Sequence, residues 1–134
     1  METNENIISP AEFKYNLAGF CGTTKYYEHK ATNYLKLLLT DGCKYVMEAT
    51  NAKWLFDEIL YNQPRHEIRG LIFQVWVLWL NIINDEDKGC WVIRCEDGDH
   101  NTVLVQILIE EVDFPINEIS IWVVDGVAML PGEY

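Results

Sequence analysis

Four stretches in the second half of the chain set the problem that any fold must solve. Residues 71–83 hold eleven apolar side chains in thirteen, with Gln74 and Asn81 as the exceptions. Val, Ile, Phe and Trp dominate, which favours strand over helix. Residues 89–96, 102–112 and 118–124 read as further strands. Asp, Asn and Gly crowd 84–89 and 97–101, joining the first three strands as consecutive hairpins. Phe114-Pro115 forces a corner before the fourth. Along 102–110, Val103, Val105, Ile107 and Ile109 point one way, and Leu104, Gln106 and Leu108 the other. A sheet with one wet face alternates apolar with polar residues. This sheet is apolar on both faces, so each needs cover.

The first half supplies helices. Ser9-Pro10-Ala11-Glu12 is a capping box with proline at the first helical position. Phe13 and Leu17 then share one face of a helix over 10–18. Residues 43–50 read as a short helix, broken at Thr50-Asn51. A second runs over 52–62, with Trp54 and Glu58, and Leu55 and Ile59, at helical spacing. Pro64 ends it. Cys21 to Thr24 reads as a turn, 25–29 as a short strand or a loop anchored by tyrosines, and 34–39 as a strand. The expectation is one α+β domain over 1–134, with residues 1–8 flexible. Short N-terminal helices pack on one face of a C-terminal antiparallel β-meander of about four strands. Three short helices cover too little, so the chain is expected to be a homo-oligomer.

Charge is concentrated in the same half. The formal net charge is −11. Residues 1–84 contribute a net −1, and 85–134 contribute −10, with Lys88 and Arg94 the only cations there. That balance argues against a direct nucleic-acid partner and against docking on an anionic membrane. Asp85, Glu86 and Asp87 cluster in one turn, Glu96, Asp97 and Asp99 in another, and Glu110, Glu111 and Asp113 at a strand end. A meander sends the first and third clusters to the same end of the sheet. There they form a solubilising rim, a surface for a basic partner, or a metal site. The N-terminus is acidic without an apolar run, unlike a signal peptide. Residues 71–83 are too short to span a bilayer as a helix. A cytoplasmic protein with reduced thiols follows.

Signals for chemistry are sparse. Asp97-x-Asp99-x-Asn101 begins like a calcium loop, but Thr102 and Leu108 stand where glycine and glutamate are needed. Cys90 and Cys95 lie five apart in one strand and face opposite ways, which is no metal knuckle. No phosphate loop, nucleophile elbow or zinc-protease motif occurs. No cofactor or metal is expected. Cys43 follows Asp41-Gly42 at a helix start, which can lower a thiol pKa. With His29, His66 and Asp57 it defines the alternative reading, a small enzyme with a cleft between helix 52–62 and segment 20–30.

Two blocks of motifs carry a resemblance. One is Thr40-Asp41-Gly42-Cys43-Lys44-Tyr45, followed by Ala52-Lys53-Trp54-Leu55-Phe56-Asp57 and Tyr61-x-Gln63. The other is Cys95-x-Asp97-Gly98, Gln106, Asp113-Phe114-Pro115-Ile116 and the ending Leu130-Pro131-Gly132-Glu133-Tyr134. Over residues 20–134 the chain resembles a family of small bacterial, plasmid and phage proteins of unknown function. Its members typically close with T-D-F-P-L and L-P-S-E-Y; here Val112 and Gly132 replace the threonine and serine. The resemblance implies one α+β domain and places Trp54, Asp57, Gln106, Asp113 and Tyr134 in a shared pattern. It implies no activity. Distribution on mobile elements favours a protein that acts on another protein. The expected function is a non-enzymatic acidic binding protein for a basic protein surface, with a counter-defence inhibitor as one example. Asp85, Glu86, Asp87, Glu110, Glu111 and Asp113 would bind.

Overall fold

The computed structural model describes residues 8–81, 90–98 and 102–134. In chain order the elements are α1 (Pro10–Leu17), β1 (Tyr27–Lys30), β2 (Lys36–Leu39), α2 (Asp41–Thr50) and α3 (Lys53–Tyr61). There follow β3 (Phe73–Leu80), β4 (Trp91–Glu96), β5 (Val103–Ile109), β6 (Glu118–Val124), β7 (Val127–Met129) and a 3-10 turn at Pro131–Glu133. The serine half of the expected capping box forms: Ser9 Oγ accepts from the Glu12 backbone N at 3.2 Å.

The class is α+β, but the sheet is larger than the expected four-strand meander and ordered differently. It has seven strands in the order β1-β2-β7-β6-β3-β4-β5. The fourth expected strand, β6, does not continue past β5; it returns to pair with β3. Phe114 accounts for the return. Its ring is buried against Phe13, Trp91 and Trp54, with centroids 5.6, 6.1 and 6.4 Å away. The corner is thereby drawn under the helices and away from the β5 edge. β7 lies outside the four strands expected from the sequence. Asp125-Gly126 turns the chain with φ of 50° and 80°, the positive values that a two-residue hairpin turn needs. β7 then pairs antiparallel with β6 and parallel with β2.

The helices cover one face. Phe13, Val46, Leu55, Phe56, Ile59 and Leu60 pack on Leu37, Leu39, Trp76, Leu78, Ile93, Cys95, Ile121 and Val123. Gln74, the polar interruption in 71–83, is 3% exposed on that buried face. It exchanges two amide hydrogen bonds with Gln63, at 2.9 and 3.0 Å, and accepts from Trp76 Nε1 at 2.8 Å. A buried amide left unpaired would cost about 1–3 kcal/mol. Here both amides are paired, and the pair ties the end of α3 to β3.

The start of α2 is a junction of three distant segments. Thr40 caps it, with Oγ1 accepting from Cys43 N at 3.3 Å and donating to Glu133 Oε1 at 2.6 Å. Glu133 Oε1 also accepts from Leu130 N, and its Oε2 accepts from Gly42 N, both at 2.9 Å. On the other side, Asp41 Oδ2 accepts from Thr24 N at 2.8 Å and Thr24 Oγ1 at 3.0 Å, and Oδ1 from the Tyr27 hydroxyl at 3.1 Å. The Thr24 backbone N–H leads in holding the Asp41 carboxyl below its ordinary pKa. A depressed carboxylate stabilises the fold above its ordinary pKa, and the contribution is lost as pH falls through the folded value. Asp41→Asn should therefore lower the melting temperature at pH 7. The gap to the wild type should close below about pH 4. Melts across pH 2.5–7 check this; a gap that persists in acid would contradict it.

Candidate functional site

The end of the sheet where β5 stops carries the acidic cluster. Ile109 pairs with Trp91, Trp91 with Leu80, and the neighbouring Trp79 with Glu118, so these positions share one end. Glu110, Glu111 and Asp113 follow β5 there, all exposed. Glu111 turns the chain at φ 63°. Glu118 is exposed as well and belongs to the same end. It is not among the expected binding residues, although the start of the fourth expected strand at 118 marks it as a strand-end carboxylate. Among the described residues, no cation pairs with any of the four. Asp85, Glu86 and Asp87 lie outside the described residues.

Arg94 does not neutralise this end. Its Nε lies 3.1 Å from Glu96 Oε2, and its guanidinium sits 4.6 Å over the Trp79 ring. It belongs to the sheet face turned away from the helices. There Phe73, Val75, Val77, Trp79, Trp122 and Val124 are half-buried and stand outside the helix-packed core. Phe73, Trp122 and Tyr134 form a cluster with centroids 5.1–5.7 Å apart. Glu28, Lys30 and Lys36 give the same face a polar margin near β1.

The four residues of the enzyme reading separate. His29 Nε2 lies 2.9 Å from Asp57 Oδ1, and Lys53 Nζ lies 3.0 Å from Asp57 Oδ2. His29 is 9% exposed. This contact pins β1 to α3 and leaves little of the ring open to a substrate. His66 is exposed in the turn after α3. Cys43 is fully buried, and burial pushes its thiol well above the ordinary range, opposite to what a nucleophile needs. No hydrogen bond joins Cys43 to His29, His66 or Asp57 among the described residues. Cys95 is buried too, its thiol pushed up to about 12. Two surface depressions, of about 520 and 420 Å³, flank Phe20 beside α1. None of the four residues lines either one. Among the described residues, no group of His, Cys, Asp and Glu is placed to hold a metal ion. No helix among them is long and apolar enough to cross a membrane.

The shared motif residues resolve into packing roles and surface positions. Trp54 packs on Phe114, Asp57 holds His29, and Tyr134 packs on Phe73 and Trp122. Gln106 is exposed on β5 opposite Arg94, and Asp113 is exposed at the corner. A model of a family of unknown function (DUF6876) matches residues 11–134. No curated protein and no solved structure matches the chain.

Proposed function

We propose a function from the geometry, since the chain belongs to this family of unknown function and membership supplies no activity. It is a non-enzymatic binding protein whose acidic sheet end engages a basic surface on another protein. One observation carries the reading. Glu110, Glu111, Asp113 and Glu118 are exposed at one end of the sheet and have no described cation beside them. Asp85, Glu86 and Asp87 are included in the proposed surface because they add three carboxylates to the same half of the chain. Such a field steers a basic partner to the surface and raises the association rate. The resemblance to bacterial, plasmid and phage proteins suits a chain that acts on another protein. A counter-defence inhibitor, occupying a surface that otherwise holds nucleic acid, is one example. A cytoplasmic setting fits the reduced thiols expected for the four free cysteines.

Capture from host lysate identifies a partner, and surface-binding kinetics then test the mechanism. The association rate should fall about tenfold or more between low and high salt, because screening at physiological ionic strength already acts within about 8 Å. Glu110→Lys with Glu111→Lys should slow association further and leave melting nearly unchanged. A solubilising rim predicts the reverse: the double variant loses solubility and binds its partner as before.

A further inference from the structure

The two edges of the sheet differ in a way that separates a guarded edge from an open one. β1 has four residues, Tyr27-Glu28-His29-Lys30, with charge at alternate positions. Its side-chain ion pairs, Lys30 and Lys36 to Glu28 at 3.7 and 3.3 Å, sit on the same edge hairpin. Short, charged strands are how soluble proteins keep an edge from pairing with another chain. β5 has seven residues, Val103 to Ile109, without a charge or a proline. One irregularity interrupts it: the register shifts opposite Cys95 and Glu96, leaving Leu104 without a partner. From 105 to 109 the strand is regular. Ile107 and Ile109 on the helix side are only half-buried, and Leu108 on the other side is 58% exposed.

We infer that β5 joins two copies of this chain, pairing antiparallel over 105–109 about a twofold axis through Ile107. The occupant is a second copy because the strand is complementary to itself in this register. Val105 meets Ile109 of the other copy, Ile107 meets its equivalent, and Gln106 meets Leu108. Every pair stays on one face, as strand pairing requires. Charge selects the direction. Glu110 and Glu111 follow immediately, and a parallel pairing would set the two acidic ends side by side. The antiparallel register separates the two copies of Glu110 by six residues of strand, roughly 20 Å. That exceeds the screening distance of about 8 Å. The contact is isologous, so both open edges close at once and only the guarded β1 edges remain. A strand pair is a small interface, and the dimer is accordingly a dissociable one. Both acidic ends stay accessible, so the self-pairing stands apart from the binding function proposed above.

Sedimentation velocity of the full chain over a hundredfold concentration range is the test. The wild type should pass from monomer to dimer. Gln106→Lys with Leu108→Lys places like charges opposite each other twice, which destabilises a strand pair, and should leave only monomer. Gln106→Glu with Leu108→Lys places opposite charges there and should restore the dimer. Both substituted positions, 106 and 108, are exposed, and circular dichroism melts confirm that each variant folds. A wild type that stays monomeric throughout overturns the inference and leaves the edge to a strand from a different protein. A dimer unaffected by the double lysine variant, or one that the charge-swapped variant fails to restore, overturns it as well.

Discussion

Alanine at position 42 should destabilise this protein, although it replaces a glycine inside a helix. In an ordinary helix that change helps by about 1 kcal/mol. Here a Cβ on Gly42 would lie 2.6 Å from Glu133 Oε1 and 2.7 Å from Leu130 Cδ1. A flexible carboxylate normally swings aside at little cost. This one cannot, because it accepts from Thr40 Oγ1, Gly42 N and Leu130 N, and moving it breaks those bonds. Hydrogen bonds to a charged group contribute about 1.5–3 kcal/mol each when well made. Glu133→Ala should therefore cost about 2–4 kcal/mol, a drop in melting temperature of about 10 °C. Gly42→Ala should cost about 2 kcal/mol in the wild type and less than half of that in the Glu133→Ala background. Equilibrium urea unfolding of the four-member cycle measures the coupling. A neutral or stabilising Gly42→Ala in the wild type would show that Glu133 does not hold the helix start.

The largest single loss is expected at Phe114. Removing its ring leaves a cavity bordered by three other aromatic rings, and such truncations cost about 3–5 kcal/mol. Its neighbour Asp113 is exposed. Asp113→Asn should change stability by under about 0.5 kcal/mol. The two variants divide the Asp-Phe-Pro motif into a packing residue and a surface residue. Denaturant unfolding decides between them: comparable losses at both positions would give the carboxylate a structural role that its exposure does not suggest. If Asp113→Asn weakens partner binding without a change in stability, the proposed acidic surface gains a member by a route independent of Glu110 and Glu111.

Local signals were legible and distant ones were not. Ser9-Pro10-x-Glu12 announced α1 because a cap is a short-range pattern. The apolar runs announced β3 to β6 for the same reason. The return of β6 to β3 is not legible in the sequence because a corner fixes a bend, whereas its direction depends on where Phe114 finds aromatic partners. β7 has only three residues, too few for a periodic pattern, although Asp125-Gly126 before it was a hairpin signal. The motif pair Thr40-Asp41-Gly42 and Leu130-Pro131-Gly132-Glu133 was visible as two blocks. Nothing in either block says that a carboxylate 91 residues away reaches the Gly42 N–H. Of the candidate site, the exposed carboxylates at 110, 111 and 113 could be read from a strand end. The His29–Asp57 contact could not, since 28 residues separate the two.

The parallel pairing of β2 with β7 has a consequence for how the chain is made. β1 and β2 form a hairpin that joins the sheet through β7 alone. Leu38 N and Thr40 N donate to Gly126 O and Ala128 O, both at 3.1 Å. An isolated hairpin is marginal in water. At a ribosome adding about 5–20 residues per second, roughly 5–20 s pass between the synthesis of β2 and that of its partner. Throughout that interval Leu37 and Leu39, both essentially unexposed in the folded protein, have no sheet to enter. Nascent chains halted before residue 127 should accordingly stay open over residues 27–39 to protease and to chaperones that recognise apolar segments. Docking of residues 27–39 in this sense waits for residues 127–129, which are made almost ninety residues later.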